Sequence, residues 1–300
     1  MRVLIVGCGY VGLALGTELA RAGHEVFGLK RSGDASELSR VGIRPIIADI
    51  TQPAALALIH PDFDCVVNTV SSSKGGVEEY RAVYLDGTRR LIEWLFRSPS
   101  LRKYIYTSST SVYAQTDGSW VTEGSATEPK SETSRVLVET ERLLLEAAHG
   151  GFPAIVLRAA GIYGPERGHL FQQFLNGEAR IDGDGARLIN MIHRDDVVHA
   201  IVTAMDRGQS GGIYNVADDE PVAQKEYFRW LSDQLRMPMP PTSDADSVSR
   251  KRGLTHKRVS NRKLRLELGC ELKYPTYRQG YAAEIARLQG AGKLPVGPGQ

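Results

Sequence analysis

Arg2-Val3-Leu4-Ile5-Val6-Gly7-Cys8-Gly9-Tyr10-Val11-Gly12 is the stretch on which the fold turns. After Arg2 it is a short apolar, mostly β-branched run, the composition of a buried strand in a parallel sheet. The run leads into Gly7-x-Gly9-x-x-Gly12, and Leu13, Leu15, Leu19 and Ala20 then recur at roughly helical spacing until Gly23. Strand, glycine turn and helix together give the GxGxxG pattern a mechanism. Gly7 permits a tight turn, Gly9 lets backbone approach a diphosphate, and Gly12 lets the helix pack against the strand. The helix opens at Tyr10 and Val11, where free N–H groups and the positive end of the dipole would face phosphates. The stretch predicts a dinucleotide site.

Working outward, a second strand, Glu25 to Leu29, ends in Lys30-Arg31-Ser32. This is ~20 residues past the glycine turn, where NAD-binding units place an acid on the ribose hydroxyls. A carboxylate would repel a 2′-phosphate, whereas a guanidinium grips it bidentately. The cations here predict NADP over NAD, with Arg31 as the main contact. Further strands read Pro45 to Ala48, followed by Asp49-Ile50; Cys65 to Val70, followed by Ser71; and Tyr104 to Thr107, followed by Ser108-Ser109. Helical stretches at Glu79–Arg97 and Ser134–Ala148 lie among them. The alternation predicts an α/β fold, a Rossmann-type doubly wound parallel sheet, with ligand groups just past the strand ends.

After the strand Ala154–Arg158 the chain changes character, with more glycine and proline and shorter apolar runs. The reading is a dinucleotide-binding domain over 1–160 and a mainly substrate-binding lobe over 161–300. Residues 188–207 are regular enough to pack back on the first domain, and 290–300 form a frayed tail. The polar run from Met237 to Arg258 reads as a loop.

Bulk properties narrow the class. Apolar content of 42%, charged content of 24% and a net charge of +2 are ordinary for a globular chain and give no footprint for nucleic acid. Cys8, Cys65 and Cys270 are too scattered for a disulfide framework or a metal site, and fit a reducing cytoplasm. Three glycines and Glu18 break the apolar N-terminal run, so it does not read as a signal peptide, and no other stretch is long enough to span a membrane.

Four segments resemble the extended short-chain dehydrogenase/reductases, the group that includes nucleotide-sugar epimerases and dehydratases. Ser108-Ser109-Thr110-Ser111-Val112-Tyr113 is similar to the family's SSxxVYG segment. Leu157-Arg158 through Tyr163-Gly164-Pro165 resembles LRPxxxYGP, Ile192-His193-Arg194-Asp195-Asp196-Val197 resembles IHVxDVA, and Tyr214-Asn215-Val216 resembles YNV. The glycine loop departs slightly, GxGxxG standing for the family's GxxGxxG. The resemblance covers nearly the whole chain and implies a small-molecule substrate, with a nucleotide-sugar as the family expectation, and a homodimer formed through the helices 79–97 and 134–148.

The active site departs more. In the family a Ser or Thr polarises the substrate oxygen and a Tyr-x-x-x-Lys pair moves the proton. The lysine makes a phenol of pKa ~10 a competent base. Ser109 matches the first role. Aligning the next helix on Glu141 puts Thr133 at the tyrosine and Leu137 at the lysine, and no tyrosine occurs between Tyr113 and Tyr163. The chain therefore resembles the atypical branch, which keeps the cofactor site and loses the pair. Replacement donors left open are Tyr113, Tyr163, His193 or a water held by Thr133. Thr110 and Ser111 stand where sugar dehydratases carry an Asp-Glu pair, which argues against a 4,6-dehydratase. Tyr163, Arg167, His193 and Arg258 are the candidate substrate contacts. The reading is an NADP-dependent oxidoreductase or epimerase with a substituted proton donor; the alternative is a catalytically inactive NADP(H)-binding sensor.

Overall fold

The computed structural model describes residues 1–72, 76–96, 98–243 and 256–294. Its centre is a seven-stranded, wholly parallel sheet in the order Ile213–Val216, Ala154–Ala159, Lys103–Ser109, Cys65–Asn68, Arg2–Val6, Glu25–Lys30, Ile43–Ile47. The first strand lies between two neighbours, with Val3 opposite both Val26 and Cys65. That central place explains its unbroken apolar run, since Val3 to Val6 have no exposed surface. The strand order reverses between Arg2–Val6 and Cys65–Asn68, and a crevice opens there at the carboxyl ends.

The helix Tyr10–Arg21 buries Leu15 and Leu19 against the sheet. The segment expected as one helix over Glu79–Arg97 has three parts: Val77–Tyr80, a π-helical stretch Arg81–Asp86, and Gly87–Leu95. It packs beside the helix Glu132–His149, with Arg81 and Glu139 paired at 3.1 Å. A π-helical turn is wider than an α-turn and re-aims the side chains it carries.

A boundary at residue 160 does not divide the sheet. Ile213–Val216 comes from beyond it and pairs with Ala154–Ala159, which would otherwise be an open edge. Val197, Val198, Ile201 and Ala204 of the helix Arg194–Arg207 also lie in the sheet's core, as do Val259, Leu264 and Leu268. The rest of the C-terminal half builds a separate, aromatic core from Tyr163, Phe171, Phe174, Tyr227, Phe228 and Tyr281. It is enclosed by the helices His169–Leu175, Gln224–Leu235 and Tyr277–Gly290. The run read as a loop from Met237 to Arg258 carries two short strands. Thr242–Ser243 pairs with Ile181–Asp182, and Arg258–Val259 pairs with Trp120–Val121. Residues 244–255 of that run and the last six residues of the expected tail lie outside the described residues. No helix among the described residues is long and apolar enough to cross a membrane.

Candidate active site

A cavity of about 460 Å³ lies along the carboxyl ends of the strands. Eleven of the twelve residues expected to hold the dinucleotide line it: Gly7, Gly9, Tyr10, Val11, Lys30, Arg31, Ser32, Asp49, Ile50, Val70 and Ser71. The twelfth, Gly12, sits beneath it, where a Cβ would lie 2.5 Å from the Gly7 carbonyl oxygen. Gly7 has φ +92°, and a Cβ there would meet the Val70 backbone at 2.9 Å. At Gly9 a Cβ would meet nothing within 4 Å, so the turn is open on that side. The bare backbone and the start of the helix thus form a cradle with the N–H donors and the clearance that a diphosphate needs.

The wall beyond the second strand is cationic. Arg31 is exposed there and, among the described residues, makes no hydrogen bond or ion pair. Asp49 is turned to its own loop, accepting from the Thr51 N–H at 2.9 Å and its hydroxyl at 2.7 Å.

At the other end the lining includes Ser108, Ser109, Leu137, Val83 and Tyr84. The Ser109 Oγ accepts the Ser111 N–H at 3.2 Å, which caps the short turn Thr110–Val112. Leu137 puts an apolar side chain into this wall. Thr133 is buried in the first turn of Glu132–His149, 3.4 Å from the Ser131 hydroxyl and not in the lining. Tyr84 was not singled out by the sequence. It comes from the π-helical stretch, and its hydroxyl accepts the Ser72 N–H at 3.1 Å. The only sequence signal was a second tyrosine four places after Tyr80, which reads as an ordinary helical core pair; the two rings do pack, 4.8 Å apart.

The other proposed proton donors stand elsewhere. Tyr113 is fully buried beneath the site, donating to the Asn215 Oδ1 at 2.7 Å and accepting from the Arg158 Nη1 at 2.8 Å. Burial raises its pKa and Arg158 opposes the rise. Arg158 also clasps Glu141 at 2.7 Å, and Glu141 accepts the Ser108 hydroxyl, so one buried network ties the serine strand to the helix behind it. Tyr163 is in the aromatic core, stacked 4.3 Å from Tyr281. His193 is buried, and its Nδ1 accepts the Asp195 N–H at 3.2 Å to cap the next helix. Burial pushes it down to about 4 against the pull of Asp195. Arg258 donates to the Gly118 carbonyl, just before the strand Trp120–Val121 with which its own strand pairs, and does not line the cavity. Arg167 does line it, with its guanidinium 4.8 Å from the Tyr10 ring centre. Among the described residues no group of three or more His, Cys, Asp or Glu side chains is placed to hold a metal.

A glycine turn at a topological switch point, with a serine at the end of the next strand but one, defines the dinucleotide-dependent class of α/β proteins. A family model for the NAD dependent epimerase/dehydratase family matches residues 3–217, and the chain belongs to that family. Protein YeeZ of Escherichia coli (strain K12) is 28% identical over 283 residues, 91% of this chain and 96% of that protein. A 3-diazoavenalumate denitrifying reductase from a Streptomyces species is 26% identical over 311 residues, 95% of this chain and 100% of that one. The solved structure of MoeE5 in complex with UDP-glucose and NAD shares the fold at 23% identity, with a TM-score of 0.80 over 97% of this chain and 99% of that one.

Proposed function

We propose that this protein is a nicotinamide-dinucleotide-dependent oxidoreductase or epimerase of the atypical branch, acting on a carbonyl or hydroxyl group of a small molecule. The observation that carries the reading is the single cavity that runs from Arg31, past the open glycine turn, to Ser109. The residues fit the cofactor: Gly7 has no room for a side chain, and the open space over Gly9 leaves room for a diphosphate. When bound, the nicotinamide supplies or accepts hydride. Ser109 then hydrogen-bonds the substrate oxygen, and Tyr84 exchanges the proton at that oxygen in place of the missing pair. The reductase relative supports a reductive step, and the UDP-glucose on MoeE5 supports a nucleotide-sugar as substrate class. A sensor that binds without turnover is not favoured, because it has no use for hydroxyls at the far end of the cavity. The three buried free thiols suit a reducing compartment such as the cytoplasm.

Cofactor choice is the finer part of the proposal. MoeE5 holds NAD, whereas in this chain the unpaired Arg31 and the neighbouring Lys30 support a 2′-phosphate. Calorimetric titration with NADPH and NADH tests both levels. NADPH is expected to bind about 10-fold or more tightly, and Arg31→Ala to remove that margin, as loss of a charge-assisted hydrogen bond implies. Equal affinities would assign NAD, and no binding of either would end the reading.

A further inference from the structure

One cation at the cavity is held in place by a strained device from the second lobe. The strand Gly161–Tyr163 ends in a tight turn in which Gly164 and Arg167 exchange both backbone hydrogen bonds, each at 3.0 Å. Within it Gly164 has φ +143° and Glu166 φ +62°, and Gly168 follows at +151°. Glu166 is one of two non-glycine residues with positive φ among those described. Such a conformation persists only where surroundings over-determine it.

The surroundings here are specific. The Glu166 N–H donates to the Glu284 Oε1 at 3.0 Å. Glu284 is 3% exposed, on the helix Tyr277–Gly290, and Arg287 grips both its oxygens at 2.8 Å. On the other side the turn presses on the first lobe. A Cβ at Gly164 would lie 3.0 Å from the Tyr10 hydroxyl and 3.0 Å from the His193 Nε2. The result is that Arg167 lies over the Tyr10 ring, next to the glycine turn.

Arg167 is chemically unlike its neighbours. Arg194 flanks the same ring at 5.2 Å, but it is paired with Asp195 at 2.9 Å. The Arg167 guanidinium has no hydrogen bond or ion pair among the described residues. It lies at the junction of the first cavity with a second of about 980 Å³, and the two share Cys8, Gly9, Tyr10, Lys30 and Arg167. The buried Tyr10 hydroxyl also lacks a partner there. The unpaired guanidinium therefore faces the opening above the glycine turn, where an anion would satisfy it.

We propose that the turn Gly164–Arg167 is a clamp that sets the Arg167 guanidinium against the dinucleotide's diphosphate, opposite the glycine turn, with Glu284 as its positioning residue. The proposal rests on the dinucleotide reading above and assigns Arg167 to the cofactor and not to the substrate. Binding then joins the two lobes through one salt link.

Calorimetric titration with ADP-ribose, which carries the diphosphate without the nicotinamide, and with adenosine, which carries neither, tests it. Arg167→Ala is expected to weaken ADP-ribose by about 10- to 100-fold and to leave adenosine within about twofold. Arg167→Lys recovers part of the loss, since it restores charge without the planar fork. Glu284→Ala weakens ADP-ribose by less, and Glu284→Gln, which keeps the acceptor for the Glu166 N–H, restores it. Unchanged ADP-ribose affinity in Arg167→Ala overturns the clamp, as does an equal loss for adenosine. A loss confined to UDP-glucose overturns it in favour of a substrate contact. If the wild-type chain binds neither ADP-ribose nor NAD(P)H, the dinucleotide reading itself fails and the clamp with it.

Discussion

At the scale of single residues, the site combines a Rossmann-type geometry of strand ends with side chains that depart from the family's usual pattern. Leu137 offers neither charge nor hydrogen bond in the cavity wall, so no cation is at hand to activate a phenol on the Glu132–His149 helix. A phenol nevertheless reaches the cavity from the opposite helix, as Tyr84. If it exchanges the proton, Tyr84→Phe keeps dinucleotide affinity within about twofold. Turnover on an accepted carbonyl falls by about 100-fold or more, the usual worth of general acid–base catalysis. Unchanged turnover would remove Tyr84 from the chemistry. Tyr113 has a different role. Its hydroxyl is spent on Asn215 and Arg158, which makes it part of the support under Ser109.

At the scale of elements, that support is a buried ion pair. Glu141 and Arg158 are 2% and 4% exposed, and they join the Glu132–His149 helix to the Ala154–Ala159 strand. Removing one partner leaves the other charge unpaired in the core, which typically costs about 3–5 kcal/mol. Arg158→Met and Glu141→Gln should each lower the denaturant midpoint accordingly, and the double variant should lose less than the two together. Additive losses in chemical unfolding would show that the two side chains act independently. The glycine turn and its helix were legible in sequence because three local requirements coincide there: a strand, a tight turn and a close crossing. The π-helical stretch was not legible, since Tyr80, Val83, Tyr84 and Leu91 satisfy an ordinary helical period equally well. The clamp turn was likewise hidden, because Pro165-Glu166-Arg167 carries no local sign that Glu284, far along the chain, holds it.

At the scale of the whole molecule, His193 lies where the two cores meet. Its ring packs 5.3 Å from Tyr163 and 4.1 Å from Tyr274, and its Nδ1 caps the Arg194–Arg207 helix. Asp195 and Glu284 favour its charged form, Arg194 and Lys273 oppose it, and burial dominates to hold it down to about 4. In the unfolded chain it titrates near ~6.5, so the unfolded state binds the extra proton first. The stability it contributes is full above about pH 6.5 and is lost as pH falls from there towards 4, on the order of 1–3 kcal/mol. Urea midpoints at pH 7.5 and 5 check this, with His193→Gln expected to show the smaller drop. A variant with the same pH slope as wild type would place the acid sensitivity elsewhere. The sequence by itself determined the doubly wound sheet, the glycine cradle and the serine strand end. Those depend on local period, turn chemistry and position past a strand, all properties of contiguous residues. The tertiary structure decided that Ile213–Val216 completes the sheet, that Tyr84 enters the cavity, and that Arg167 stands over Tyr10. Each of these joins residues distant along the chain, and such a juxtaposition is set by how the elements pack and not by any stretch taken alone.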